Sequence, residues 1–283
     1  MPALVLVAPT PLSGKTTIAA GLAQRLKAEG KTVALSRLGD DANAAADKAL
    51  FAAISSPTDA AQVTITEAAS GDTSGDARAI VIADASLPAA EIARFCSPLA
   101  GRLAGLILNR VPQRRTAAIR SDAEAQGMRV LGVVAEDRLL ASPTLGEVAD
   151  ALEAEKMFFD SKGERPLDRT LIASISADPG QGYFVRTGAN TVIVRSDKPD
   201  LQLAALNAGT GAMIVTGGRP ILGYVLDRAE EDTIPLLRTK LETVDTVKVI
   251  EQLYAAKAFA GGTDKMRRAA ELTGEIDLAE LLS

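Results

Sequence analysis

The sequence contains no histidine and only one cysteine, Cys96, in 283 residues. Without histidine there is no Ser-His-Asp triad, no imidazole general base and no His-ligated metal. One cysteine excludes an internal disulfide, makes a zinc site untenable and fits a reducing compartment. Positive charge is also in short supply. Lys and Arg number 31 against 36 Asp and Glu, a formal net charge of −5, which opposes a broad electrostatic grip on nucleic acid or acidic lipid. No apolar run approaches the ~20 residues of a membrane-spanning helix. The chain enters Leu4-Val5-Leu6-Val7 with no basic stretch before it, so no signal peptide is read and a cytoplasmic protein is expected. Aromatic residues make up 3% against 47% hydrophobic residues overall. The cores must therefore be aliphatic and alanine-rich, as suits helices laid on a parallel sheet.

The length favours two domains. In the first half, short aliphatic runs alternate with helical patterns. Strands are expected at 3–7, 32–36, 79–83, 103–108 and 130–134, with helices at 16–29, 89–95, 116–126 and 144–154 between and after them. That alternation predicts a doubly wound, mostly parallel α/β sheet. The polar, breaker-rich run Asp160 to Pro166 reads as the boundary, giving a first domain over 1–158. A smaller α/β domain follows over 165–254, with strands expected at 171–176, 191–194, 213–215 and 221–225 and helices at 200–207 and 243–254. Residues 255–283 read as an appended tail.

The chemistry concentrates at the end of the first strand. Ala8-Pro9-Thr10-Pro11-Leu12-Ser13-Gly14-Lys15-Thr16-Thr17 lies between a strand and a helix, the context a phosphate-binding loop requires. Backbone N–H groups at such a turn face phosphate oxygens, aided by the helix dipole. Gly14 lets the backbone approach closely, Lys15 can neutralise the β- and γ-phosphates, and the Thr16 hydroxyl can ligate Mg²⁺. Ser13 and Thr17 complete the binding set. The loop departs from the usual pattern in that Pro9 stands where glycine is expected, and Pro9 and Pro11 each remove a donor. The plain alternative is a strand-to-helix turn in which Gly-Lys-Thr is incidental.

Other candidates gather around this loop. Asp84 ends an aliphatic strand, where a carboxylate faces the ligand crevice and can hold Mg²⁺; otherwise it is an acid preceding a helix. Asp47 is either a second magnesium carboxylate or a surface acid. Asn109, also at a strand end, can exchange hydrogen bonds with a purine edge or cap the strand. Cys96 reads as a buried structural thiol. In the second half, Gly217-Gly218 can offer amides to an anion or can simply form a tight turn.

Several stretches carry a family resemblance: Gly14-Lys15-Thr16, the strand ending at Asp84, Gly105-Leu106-Ile107-Leu108-Asn109-Arg110-Val111, and Leu131 to Leu140. They resemble the dethiobiotin-synthetase-like family, in particular the N-terminal region of long bacterial phosphate acetyltransferases. Ser196 to Leu206 and Ile214-Val215-Thr216-Gly217-Gly218 resemble the DRTGG domain that follows it there. Together these cover about residues 1–254. The resemblance implies a P-loop domain with Asn109 near the adenine and Asp84 in an acidic position often held by Glu, and a DRTGG domain that is regulatory or oligomeric. Acyl transfer is not predicted, because the domain performing it would follow the DRTGG domain. Two departures bear on biotin-pathway chemistry: the segment between Asp47 and Asp84 is short, and Arg37 stands where such synthetases carry lysine.

Three functions follow. The first is a regulatory protein that binds ATP with Mg²⁺ and acts through a dimer or a metabolic-enzyme partner. The second is an ATP-dependent carboligase or amidoligase. The third is a scaffold with a degenerate loop. The expected ligand is a purine nucleotide, with no nucleic-acid or membrane partner.

Overall fold

A computed structural model describes residues 2–69, 71–72, 77–174, 182–186, 188, 190–255, 259 and 262–282. The chain divides into two compact units. One comprises Met1–Leu140 with Ala258–Ser283, and the other Ala141–Lys257.

The first unit holds six parallel strands in the order β2-β3-β1-β4-β5-β6: β1 (Ala3–Val7), β2 (Val33–Arg37), β3 (Val63–Glu67), β4 (Arg78–Asp84), β5 (Leu103–Val111) and β6 (Val130–Ala135). Their aliphatic residues alternate between two cores. Leu4, Leu6, Ile80 and Ile82 face Ile18, Leu22 and Leu26 of α1 (Lys15–Ala28) and Phe51 of α2 (Ala44–Ile54). Val5, Val7, Val81 and Ala83 face Ile92 and Cys96 of α3 (Ala89–Cys96) and Ile119 and Ala123 of α4 (Thr116–Ala125). Strands buried on both faces explain the near-continuous apolar runs in the sequence. The chain leaves β1 towards β2 on one side and leaves the adjacent β4 towards β5 on the other, so the direction of winding reverses between β1 and β4. The switch opens a crevice at the carboxyl ends of these strands.

The C-terminal segment is not an appended tail. After the short α5 (Arg138–Ala141) and the whole second unit, the chain returns as α10 (Thr263–Leu272) and α11 (Leu278–Leu282). Ile276, Leu278 and Leu281 enter the core beside β1 and β4. Helix α10 packs on α1 so closely that a Cβ on Gly21 would lie 2.6 Å from the carbonyl oxygen of Ala269. Arg25 of α1 also donates to the carbonyls of Thr273 and Ile276. Gly261, read with the tail, lies outside the described residues.

The second unit carries the sheet β7-β11-β10-β9-β8: β7 (Glu155–Met157), β8 (Thr170–Ile172), β9 (Thr191–Arg195), β10 (Ala212–Thr216) and β11 (Leu236–Arg238), all parallel except β7. One face packs on α7 (Pro199–Asn207) and α8 (Gly223–Glu231) through Leu201, Ala205, Val225 and Ala229. The other packs on α6 (Leu145–Ala151) and α9 (Thr243–Ala255) through Leu145, Val148 and Ile250. Two expectations change here. Helix α6 covers the second sheet instead of closing the first domain, so the unit begins ahead of Asp160 to Pro166. The run 221–225, expected as a strand, opens helix α8, because Val225 and Ala229 recur at helical spacing on its buried face. Of the strand expected at 171–176, Ile175 and Ser176 lie outside the described residues. Among the described residues no helix is long and apolar enough to cross a membrane.

Candidate functional site: a phosphate-binding loop backed by a buried ion network

Gly14 is the N-cap of α1 and adopts the left-handed conformation, with φ of 90°. No side chain caps this helix and its first turn contains no acid, so an anion is the natural partner of its amino terminus. Asn109, at the carboxyl end of β5, donates from Nδ2 to the Ser13 carbonyl across 2.8 Å. A Cβ on Gly14 would lie 2.1 Å from the same Nδ2. Glycine is thus demanded twice, by its φ and by the close approach of Asn109. Arg110, a left-handed residue at an irregularity in β5, donates to the Leu12 carbonyl and to Asp84 Oδ2. Ser13 Oγ donates to the Thr10 carbonyl across 2.7 Å. Thr17 follows, half-buried, on the first turn of α1.

Beneath the loop lies a buried network that the sequence reading did not assemble. The Thr16 hydroxyl donates to Glu67 Oε2 across 2.9 Å. Lys15 Nζ lies 3.8 Å from Glu67 Oε1. Arg37 pairs with Glu67, with Asp47 across 3.0 Å, and with Asp41. Lys15, Arg37, Asp47 and Glu67 are each less than a tenth exposed. Three strand or helix ends deliver them: α1 after β1, the end of β2, and the end of β3 immediately beside β1. Asp47 comes from the first turn of α2, where a helix dipole favours an acid.

Burial sets the protonation tendencies. Desolvation lowers the Lys15 pKa, and Glu67 offsets only part of this. Desolvation raises both carboxyls; Lys15 and Arg37 oppose it at Glu67, and Arg37 opposes it at Asp47. For Arg37, burial is outweighed by Glu67, Asp47 and Asp41, and the guanidinium is held more firmly charged. Two polar atoms in the network are buried with no hydrogen-bond partner among the described residues, Asp47 Oδ1 and Arg37 Nε.

Of the three expected magnesium ligands, Thr16 and Asp47 join this network. Asp84 belongs to another set of contacts: its Oδ1 accepts the Ser86 N–H across 2.8 Å and its Oδ2 faces Arg110. Among the described residues no three His, Cys, Asp or Glu side chains are arranged to hold a metal on their own. The donor set nonetheless suits Mg²⁺ shared with phosphate. It offers the Thr16 hydroxyl, the Glu67 carboxylate and the unpartnered Asp47 Oδ1, all hard oxygens. The charge balance agrees. Two cations, Lys15 and Arg37, face three carboxylates, Glu67, Asp47 and Asp41. A polyphosphate approaching that cluster needs a divalent cation to offset the repulsion.

Glu67 was missed because its strand, Val63-Thr64-Ile65-Thr66-Glu67, alternates apolar and polar residues, unlike the aliphatic strands around it. The β-branched run was the available signal. Cys96 lies buried, as expected, 4.0 Å from the Met128 sulfur, and burial pushes its thiol up to about 11. Gly217 and Gly218 both have positive φ and donate their N–H groups to the carbonyls of Leu241 and Thr239, so both amides already have acceptors in the segment after β11.

Comparison with known proteins accords with this geometry. Residues 7–147 match the CobQ/CobB/MinD/ParA nucleotide binding domain, and residues 147–253 match the DRTGG domain. Among solved structures the chain is similar to the CBS and DRTGG domains of the regulatory region of Clostridium perfringens pyrophosphatase, complexed with the activator diadenosine tetraphosphate. That match has 18% identity over 41% of this chain and 49% of that one, with a TM-score of 0.35. The chain therefore spans about half the length of that region. It is also similar to a putative branched-chain amino acid ABC transporter from Rhodospirillum rubrum, at 12% identity over 96% and 82% of the two chains, with a TM-score of 0.27. Both TM-scores are too low for either likeness to bear on the site.

Proposed function

We propose that this chain, which carries a CobQ/CobB/MinD/ParA-type nucleotide-binding domain and a DRTGG domain, is an ATP-responsive regulatory protein. The observation that carries the reading is the junction of the glycine-capped helix start with Lys15, Thr16 and Glu67. The α1 amino terminus receives phosphate oxygens, and Lys15 turns from Glu67 toward the β- and γ-phosphates. Thr16 and Glu67, with Asp47, hold Mg²⁺, which when bound neutralises phosphate charge. Asn109 keeps the loop in its receptive shape through Ser13. The DRTGG unit passes the nucleotide state to a second copy or to an enzyme partner. Membership of the dethiobiotin-synthetase-like branch is part of this proposal.

One observation favours a second reading, an ATP-dependent ligase acting on a carboxylate or carbamate. Arg37 Nε is a buried donor with no acceptor among the described residues, and an anionic acceptor substrate would satisfy it. Titration of ATP, ADP and GTP with and without Mg²⁺, followed by an ADP-release assay, separates the two. The regulatory reading expects binding with little turnover. Release that accelerates when a carboxylate substrate is added establishes the ligase.

A further inference from the structure

The second unit contains a cleft of about 400 Å³ that has no part in the phosphate-binding loop. It lies at the amino ends of β8, β9 and β10, between the segments that lead into these strands. The Gly217–Gly218 pair follows β10 at the opposite, carboxyl end of the sheet.

Two guanidinium groups line the cleft, Arg165 and Arg169. Arg165 is held in place by an amide: its Nε and Nη2 donate to Asn190 Oδ1 across 3.3 and 2.9 Å. Asn190 in turn donates from Nδ2 to Asp168 Oδ1 across 2.8 Å. The guanidinium crosses Gly211 so tightly that a Cβ there would sit 1.9 Å from Nη2. A preorganised arginine loses little freedom when it binds an anion. Arg165 donates to the neutral Asn190 amide, and Asp168, which lines the same cleft, accepts from Asn190; no ion pair joins either arginine to a carboxylate among the described residues. Their positive charge is therefore available to a ligand. The apolar part of the wall comes from the buried Phe184, the exposed Val185 and Ala208.

We propose that this cleft binds a nucleoside monophosphate. Arg165 and Arg169 take the phosphate, Asp168 accepts from ribose hydroxyls, and the base lies against Val185 and Phe184. Arg169, and the Arg165 Nη1 that has no hydrogen bond among the described residues, suit phosphate oxygens, the carboxylate suits a diol, and the volume suits one nucleotide.

The test is calorimetric titration of AMP into the full chain and into three variants: Arg169→Ala, Val185→Glu and Lys15→Ala. Arg169 and Val185 are exposed, so both cleft variants retain the fold, which a thermal melt verifies. AMP binding should weaken roughly tenfold or more in Arg169→Ala, the loss expected of a charge-assisted contact. Val185→Glu should weaken it as well, and Lys15→Ala should leave it unchanged. Adenosine should bind more weakly than AMP. Four results overturn the proposal: no AMP binding at millimolar concentration, binding indifferent to both cleft substitutions, binding lost in Lys15→Ala, or adenosine binding as well as AMP.

Discussion

Thr16 donates its hydroxyl to Glu67 Oε2 across 2.9 Å, joining residues 51 positions apart in the chain. The bond places a carboxylate beside the hydroxyl from which a P-loop holds Mg²⁺. It also places that carboxylate 3.8 Å from the loop lysine. With Arg37 also paired to it, Glu67 thus answers one hydroxyl and two cations before any ligand arrives.

Glu67→Gln keeps the shape of the side chain and removes its charge. ATP affinity measured with Mg²⁺ should fall roughly tenfold or more, about 1.4 kcal/mol per decade. Affinity in the presence of a chelator should stay level or rise, since one negative charge near the phosphates is gone. Calorimetry in both conditions checks this, and an unchanged Mg²⁺ dependence removes Glu67 from the metal site.

Asn109→Ala leaves the Ser13 carbonyl without its 2.8 Å donor. The nucleotide-free protein should lose about 1–3 kcal/mol, the cost of an unsatisfied buried acceptor. Denaturant unfolding measures that loss. If stability holds while preference between ATP and GTP shifts, Asn109 contacts the base instead of bracing the loop.

The Cys96 thiol, pushed up to about 11 by burial, should resist alkylation in the folded protein. An acid whose pKa is raised stays neutral until the pH nears the raised value. The thiolate fraction should therefore climb about tenfold per pH unit between neutrality and that point. Iodoacetamide labelling followed by mass spectrometry reads the rate. Rapid labelling at neutral pH contradicts the buried placement.

The C-terminal helices should be integral to the first unit. Ile276 is buried, and a Cβ on Gly132 would meet its Cγ1 at 2.5 Å. Ile276→Ala should cost about 2–5 kcal/mol. Gly21→Val should force α10 away from α1, an overpacking cost of about 1–3 kcal/mol. Limited proteolysis should then release the segment after 262 sooner than in the unaltered chain.

The legible parts of the sequence were those with local signals. Strands β1, β4 and β5 are aliphatic on both faces, and Gly14-Lys15-Thr16 sits where strand meets helix, so fold class and loop followed directly. What escaped depends on which elements meet. The apolar face of α6 fits either sheet until its contacts with Ile193 and Ile214 are seen. The residues of α10 and α11 give no sign that they pack beside α1, since the whole second unit intervenes. Asp84 and Glu67 both end strands beside β1. The sequence pointed to Asp84 because its strand is the more hydrophobic, whereas Thr16 is hydrogen-bonded to Glu67.

The central claim is that the loop at Gly14, Lys15 and Thr16 binds ATP. Its most direct test is titration of Mg-ATP into the full chain beside Lys15→Ala, with a thermal melt of each. The account predicts saturable binding in the unaltered chain and its loss in Lys15→Ala, with both proteins folded. Equal binding in both, or none in either at millimolar ATP, contradicts it.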